Sequence, residues 1–162
     1  MFHSNFKKLS LALLLATGAI NAAQADDHGS KGSSVTPLPK YTQECAGCHL
    51  AYPAGMLPAA SWQRLMGSLD KHYGTDASLD DASAKEISAW LKANAGTYKR
   101  VSEVPPQDRI SKSAWFLRKH RDGEVPAGVW KRASVGSASN CAACHTNAAQ
   151  GSFSERDIKI PK

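Results

Sequence analysis

The sequence has only one long hydrophobic run, at residues 9–20, and no second apolar stretch that would favour a membrane-embedded protein. Lys7 and Lys8 precede the run, and the small-residue cleavage pattern Ala23-Gln24-Ala25 follows it. This order is typical of a secretory signal peptide. We therefore predict that residues 1–25 are cleaved after Ala25 and that the mature chain begins at Asp26. An uncleaved signal that serves as an anchor is the alternative.

Cysteine is also scarce, because the chain has only four. All four lie in two copies of one pentapeptide, Cys45-Ala46-Gly47-Cys48-His49 and Cys141-Ala142-Ala143-Cys144-His145. The pattern C-x-x-C-H is typical of c-type haem attachment, in which both thiols form thioethers with the porphyrin and the histidine binds iron. We therefore predict two covalent haem c groups. The attachment residues are Cys45, Cys48, Cys141 and Cys144, and the proximal iron ligands are His49 and His145.

Two other uses of the cysteine pairs compete with haem attachment. Paired cysteines and histidines also bind zinc, but the histidine of a zinc finger usually lies farther along the chain than the residue after the second cysteine. An exported protein also permits disulfides or a thiol redox motif. Neither alternative explains why a histidine follows each pair directly.

The charge balance gives little support for a nucleic-acid-binding protein. Without the signal, Lys plus Arg falls from 20 to 18 against 14 acidic residues, a formal charge of +4. The propionates of two haems, about four carboxylates, would roughly cancel this charge. Basic residues concentrate at 112–119 and 118–121, where they either guide an acidic redox partner or form a solvated helix face. The export signal together with the haem motifs predicts a periplasmic protein.

The predicted fold class is mainly α, with two small helical haem half-domains whose cores consist largely of porphyrin. A flexible leader (26–40) precedes an N-terminal haem domain (41–96), a polar linker (97–112) that contains Pro105-Pro106, and a C-terminal haem domain (113–162). Apart from the pentapeptides, the halves share no repeat, so we expect two unequal haem environments. The tail at 153–162 is expected to pack over the second haem.

Local patterns predict the main helices. A short helix over 41–50 would carry the first haem motif. A second helix would start with Ser61 as its N-cap and run to about residue 71, and its apolar stripe would include Trp62 and Met66. Asp80 or Asp81 would cap a third helix and Ser113 a fourth, with a further helical segment over 125–133. Ser139 or Asn140 would cap a helix at the second motif.

Two histidines remain for the distal iron positions once the proximal pair, His3 in the signal and His28 in the leader are set aside. His72 follows the second helix 23 residues after His49, and His120 ends the fourth helix 25 residues before His145. We therefore predict bis-histidine coordination, His49 with His72 and His145 with His120, with crossed pairing as an alternative. Met56 could also serve as a sixth ligand. We interpret it as pocket lining because only seven residues separate it from His49.

The N-terminal half resembles a compact class I cytochrome c, in which the sixth ligand comes from the loop before the last helix, the position of His72. Nearly all of the mature chain resembles the dihaem cytochrome c family called DHC. The matching segments are residues 44–59 (ECAGCHLAYPAGMLPA), Ser61-Trp62, His72-Tyr73-Gly74, 77–80 (ASLD), 115–120 (WFLRKH) and 140–145 (NCAACH).

The resemblance implies an electron-transfer protein with a class I-like N-terminal domain, a less regular C-terminal domain and bis-histidine haems. It also implies redox partners: a monohaem, oxygen-binding cytochrome c of the SHP class as acceptor, often alongside a membrane cytochrome b. We expect a low-potential carrier with no small-molecule substrate, and not an enzyme. The alternative is a peroxidase-like dihaem enzyme with one open iron site, and a redox-inert haem- or metal-binding module has still less support.

Overall fold

The computed structural model describes residues 35–162, so the predicted signal peptide and most of the predicted leader, including His28, lie outside the described residues. Four α-helices run over Pro39–Cys45 (α1), Ala59–Met66 (α2), Asp81–Ala93 (α3) and Ala114–Lys119 (α4). Short 3₁₀ turns connect them, and residues 35–162 contain no β-strand. The predicted mainly α class is confirmed. No helix in this part of the chain is long and apolar enough to span a bilayer.

The core of the N-terminal half forms where α1 and α2 pack on α3. Its buried members are Tyr41, Ala54, Leu57, Trp62, Ile87 and Leu91. The indole Nε1 of Trp62 donates a 2.7 Å hydrogen bond to the carbonyl of Ala54, which fixes the loop after the first haem motif against α2. The loop that carries the first motif is therefore held by the same core as the helices.

Two predicted helix starts are confirmed by their caps. The Asp80 carboxylate accepts a hydrogen bond from the Ser83 amide at the start of α3, and the Ser113 hydroxyl accepts one from the Phe116 amide at the start of α4. Each cap satisfies one of the amides that the first turn of a helix leaves without an intrahelical partner.

The predicted start and end of α2 were wrong. Pro58, with extended backbone angles, is the N-cap, and the helix begins at Ala59, so Ser61 is buried within the first turn. The helix ends at Met66 with Gly67 as C-cap, and a separate 3₁₀ turn, Leu69–Lys71, leads to His72. Gly67 has low helix propensity, which explains the early end.

The haem motifs are less helical than predicted. α1 ends at Cys45, so the rest of the first motif lies in a turn that contains the helix-disfavouring Gly47. The second motif forms only a 3₁₀ turn, Cys141–Ala143, without a side-chain cap; the side-chain Nδ2 of Asn140 instead donates to the carbonyl of Val135 at 3.0 Å. The segment predicted as helical over 125–133 is the 3₁₀ turn Ala127–Lys131.

The C-terminal tail packs against the second motif. The amide of Lys159 donates to the carbonyl of Cys144 at 2.9 Å, and His145 forms an isolated β-bridge with Ile158. The Phe153 ring lies 5.3 Å from the His145 ring, centroid to centroid. The tail therefore holds the second histidine from one side. Its expected position over a haem stays a prediction.

Two candidate haem sites

The first candidate site brings His49 and His72 together. His49 lies in the turn after α1, and His72 follows the 3₁₀ turn Leu69–Lys71. Their ring centroids are 6.1 Å apart and their planes differ by 22°. A tight turn holds His72, since its carbonyl accepts a 3.0 Å hydrogen bond from the Thr75 amide. That turn needs left-handed backbone at Tyr73 (φ 52°) and Gly74 (φ 98°), and glycine adopts such angles readily.

The second candidate site brings His120 and His145 together. His120 is the C-cap of α4, and His145 directly follows Cys144 in the turn after Cys141–Ala143. The ring centroids are again 6.1 Å apart, but the planes differ by 66°. The described histidines thus form the uncrossed pairs, and the two sites have the same spacing with different ring orientations.

This spacing fits one metal ion between each pair of imidazoles. An imidazole nitrogen binds a metal ion at about 2 Å, and two rings on opposite sides of one ion then have centroids about 6 Å apart. Two thiols precede one histidine of each pair, as a covalently attached porphyrin requires. The two cysteines and two histidines of each site would therefore fit a c-type haem, with the thiols as attachment points and the imidazoles as iron ligands.

Backbone carbonyls orient one histidine in each pair. The Nδ1 atom of His49 lies 2.7 Å from the carbonyl of Leu50, and that of His120 lies 3.0 Å from the carbonyl of Phe116. A carbonyl can only accept, so each Nδ1 carries the proton and Nε2 keeps its lone pair for a metal. The Nδ1 atoms of His72 and His145 are buried and have no hydrogen-bond partner among the described residues.

Aromatic rings pack against both pairs. Tyr52 stacks on His49 with centroids 5.0 Å apart, and Phe116 stacks on His120 at 3.9 Å. The sequence analysis did not single out either residue as part of a site. Phe116 lies four residues before His120, and the i,i+4 spacing on a helix would have been the signal for that contact. Tyr52 is in an irregular loop, where no periodic signal exists.

Partial burial favours the neutral form of one histidine in each pair, His72 and His145. Desolvation lowers the pKa of His72, and the nearby His49 and Arg109 lower it further. Desolvation likewise lowers the pKa of His145, with His120 as the second cause. Metal binding requires the neutral imidazole, so these shifts favour ligation near neutral pH.

No disulfide joins any two of the four cysteines, all of which lie within residues 35–162. Burial raises the pKa of Cys45 to about 11 and also raises the pKa values of Cys141 and Cys144. Within residues 35–162, no three His, Cys, Asp or Glu side chains lie close enough to hold a metal ion together. The zinc alternative therefore lacks the four ligands that a structural zinc site needs.

Met56, the alternative sixth ligand, ends the 3₁₀ turn Ala54–Met56 beside the core and is half-buried.

Comparison with known proteins also indicates a c-type cytochrome with two haems. A family model described as dihaem cytochrome c matches residues 41–153. The crystal structure of DHC purified from Rhodobacter sphaeroides matches this chain with 47% sequence identity and a TM-score of 0.64. The match covers 74% of this chain and 99% of that chain. A new dihaem cytochrome type c from Shewanella baltica OS155 is 36% identical, with a TM-score of 0.66 over 76% of this chain and 92% of that chain.

A comparison with curated proteins gives no match. The matched family model nevertheless spans both pentapeptides and all four site histidines. The chain therefore belongs to the dihaem cytochrome c family, which implies two covalently bound haem c groups and electron transfer.

Proposed function

We propose that the protein is a low-potential electron carrier in which both haem irons have two histidine ligands. Cys45 and Cys48 attach the first haem, and Cys141 and Cys144 attach the second. His49 and His72 ligate the first iron, and His145 and His120 ligate the second. The observation that carries the proposal is that both histidine pairs have ring centroids 6.1 Å apart, as one shared iron requires.

Two imidazoles per iron make each site suited to electron transfer. When bound, the haem supplies a one-electron redox couple. Two strong nitrogen donors keep the same coordination in both oxidation states, so little reorganisation accompanies transfer. Nitrogen donors also stabilise the oxidised iron more than a thioether does, which lowers the potential relative to His/Met haems.

The chain itself holds the ligands in the form that this coordination needs. The carbonyls of Leu50 and Phe116 keep the Nδ1 protons of His49 and His120, which leaves their Nε2 atoms free to donate. The rings of Tyr52 and Phe116 stack on one face of His49 and of His120, respectively. A closed pair leaves no iron position for a substrate, which argues for a carrier and not for an enzyme.

The proposal includes a periplasmic location and protein redox partners. The signal-like segment at 1–25 and the need to attach haem after export support the location. A monohaem, oxygen-binding cytochrome c of the SHP class would accept electrons, and a membrane cytochrome b would donate them.

On the described surface, Lys119 is paired with Glu155 and Arg121 with Glu124, while Arg118 has no carboxylate partner. Arg118 could therefore attract an acidic partner.

Visible spectra of the haem-loaded mature protein test this function. Oxidised and reduced spectra are recorded with and without carbon monoxide. Low-spin bands that carbon monoxide leaves unchanged, with no ferric sulfur-ligation band, are the expected result. A high-spin fraction or carbon monoxide binding at one haem would contradict the proposal and favour the peroxidase-like enzyme.

A further inference from the structure

A short segment of the linker is fastened to α2 beside the first site. We call residues 105–109 the strap; they contain the 3₁₀ turn Pro106–Asp108. The Arg64 guanidinium on α2 donates two hydrogen bonds to the Asp108 carboxylate, from Nε at 2.9 Å and from Nη2 at 2.6 Å. This two-point geometry fixes orientation as well as distance. The strap is therefore held to the helix that precedes the His72 turn.

The strap also holds the residue that follows His72. The Tyr73 hydroxyl donates a 3.0 Å hydrogen bond to the carbonyl of Gln107, and the Arg109 guanidinium lies 3.9 Å from the centroid of the Tyr73 ring. The Tyr73 ring in turn meets the His72 ring edge-on, with centroids 4.9 Å apart and an interplanar angle of 62°. A continuous series of contacts thus connects Arg109 to His72.

Unfavourable backbone angles are concentrated at this junction. Among residues 35–162, the only non-glycine residues with positive φ are Tyr73 (52°), Gln107 (58°) and Asp108 (55°). Such angles are costly for residues with a Cβ, and they persist only where surrounding contacts enforce them. All three lie where the strap meets the His72 turn, so the contacts of the strap compensate for local strain on both sides.

A positive charge accompanies these contacts. The Arg109 guanidinium stacks on the Tyr73 ring, which meets the His72 ring edge-on, so only one aromatic ring lies between this charge and that imidazole. A nearby cation disfavours oxidation of an iron bound to the imidazole. The strap therefore acts on His72 by position and by charge.

We propose that the strap is the positioning element that keeps His72 opposite His49, with Arg109 as a positioning residue that acts through Tyr73. This inference rests on the proposed role of His72 as an iron ligand. It goes beyond that role because it assigns the pairing of His72 with His49 to the strap, a linker segment that lies 33 to 37 residues after His72 in the sequence. Without the strap, the His72 turn has fewer contacts to hold it in place, and the first iron opens more often.

Carbon monoxide binding by the reduced, haem-loaded protein tests the strap. The Arg109→Gln variant should raise the carbon monoxide-bound fraction at the first haem about tenfold, which corresponds to a modest shift between closed and open populations. Its first-haem reduction potential should also fall, because a nearby positive charge is lost. Arg109→Lys keeps the charge and should largely restore the potential. A His72→Ala variant provides the spectrum of an open first site.

Arg100→Gln is the matched control. Arg100 makes the same kind of contact, with its guanidinium 5.1 Å from the Tyr98 ring and 5.8 Å from the Trp115 ring, and neither ring belongs to the His72 turn. Equal carbon monoxide binding and equal potentials in Arg109→Gln and Arg100→Gln would overturn the proposal. Tyr73→Phe, which lacks only the bond to Gln107, replaces Arg109→Gln if that variant fails to load haem. A spectrum that His72→Ala leaves unchanged would instead refute the ligand role itself.

Discussion

The Tyr52 hydroxyl donates a 2.6 Å hydrogen bond to the carbonyl of Ser139, 87 residues away in the sequence. The same ring stacks on His49, and Ser139 lies two residues before Cys141, so one side chain contacts the first haem motif and the segment that leads into the second. Burial, followed by the nearby Cys141 thiol, raises the pKa of Tyr52 to about 12. The phenol therefore stays protonated and remains a donor at neutral pH.

Tyr52→Phe removes this hydrogen bond and keeps the ring. A partly buried carbonyl then lacks its donor, and we expect the free energy of unfolding of the haem-loaded protein to fall by about 1–2 kcal/mol. Denaturant titration measures the change. Tyr98→Phe is the control, because its hydroxyl makes an exposed 3.2 Å bond to the carbonyl of Gly55 that water can replace. Equal losses in the two variants would show that the Tyr52 bond does not stabilise the fold.

The Arg64–Asp108 pair predicts a pH dependence of stability. Hydrogen bonds from Arg64 are the main cause that lowers the pKa of Asp108. A carboxyl whose pKa is lower in the folded state stabilises the fold fully above its unfolded pKa of about 3.9, and this contribution is lost as the pH falls through the folded value. Asp108→Asn should therefore destabilise the protein at pH 6, and the difference from wild type should shrink below pH 4.

Denaturant midpoints of both proteins between pH 6 and pH 3 measure this convergence. Asp70→Asn is the control for removal of one carboxylate, since Asp70 lies in the 3₁₀ turn Leu69–Lys71 and no ion pair in the described residues includes it. A difference between Asp108→Asn and wild type that stays constant down to pH 3 would mean that the pair does not respond to protonation of Asp108.

Local sequence patterns predicted the parts of the sites that depend on neighbouring residues. The two pentapeptides, a cap at Asp80 or Asp81, the cap at Ser113 and the helix end at His120 are all short-range features. In the structure the first cap is Asp80, and the Ser113 cap and the helix end are as predicted. Counting the remaining histidines predicted only that His72 and His120 would be the distal ones, with crossed pairing left open. The structure places their rings 6.1 Å from those of His49 and His145, respectively.

Contacts between distant segments could not be predicted in this way. The Arg64–Asp108 pair spans 44 residues and the Tyr52–Ser139 bond spans 87, and neither has a periodic or spacing signal. The helix boundaries at Cys45 and Ala59 also differ from the prediction, because a proline at the N-cap of α2 and a glycine in the first motif outweigh the apolar pattern.

Gly96→Ala should disturb the join between α3 and the loop after the first motif. An added Cβ would lie 2.5 Å from the carbonyl oxygen of Gly55 and 2.6 Å from Cγ1 of Val101, both too close without a backbone shift. The Gly96 amide also donates a 2.9 Å hydrogen bond to the carbonyl of Leu57, so such a shift would strain that bond.

We expect a loss of about 1–3 kcal/mol in the free energy of unfolding, the usual cost of overpacking. Gly128→Ala is the control, because nothing lies within 4 Å of a Cβ at that position. A loss in Gly96→Ala no larger than in Gly128→Ala would show that the loop yields without cost.

His120→Ala should open the second iron and leave the first closed. The His120 ring is held by the carbonyl of Phe116 and by stacking on the Phe116 ring, and the other described histidines are its partner His145 and the two of the first pair. The reduced variant should bind one carbon monoxide per two haems, and its second haem should have a higher potential because a strong nitrogen donor is lost. Added imidazole should restore the low-spin spectrum. His72→Met should likewise raise the potential of the first haem, and His28→Ala, in the leader, should change neither spectrum. Carbon monoxide uptake that stays at zero in His120→Ala would mean that the pairing of His120 with His145, despite its 6.1 Å spacing, does not reflect iron ligation.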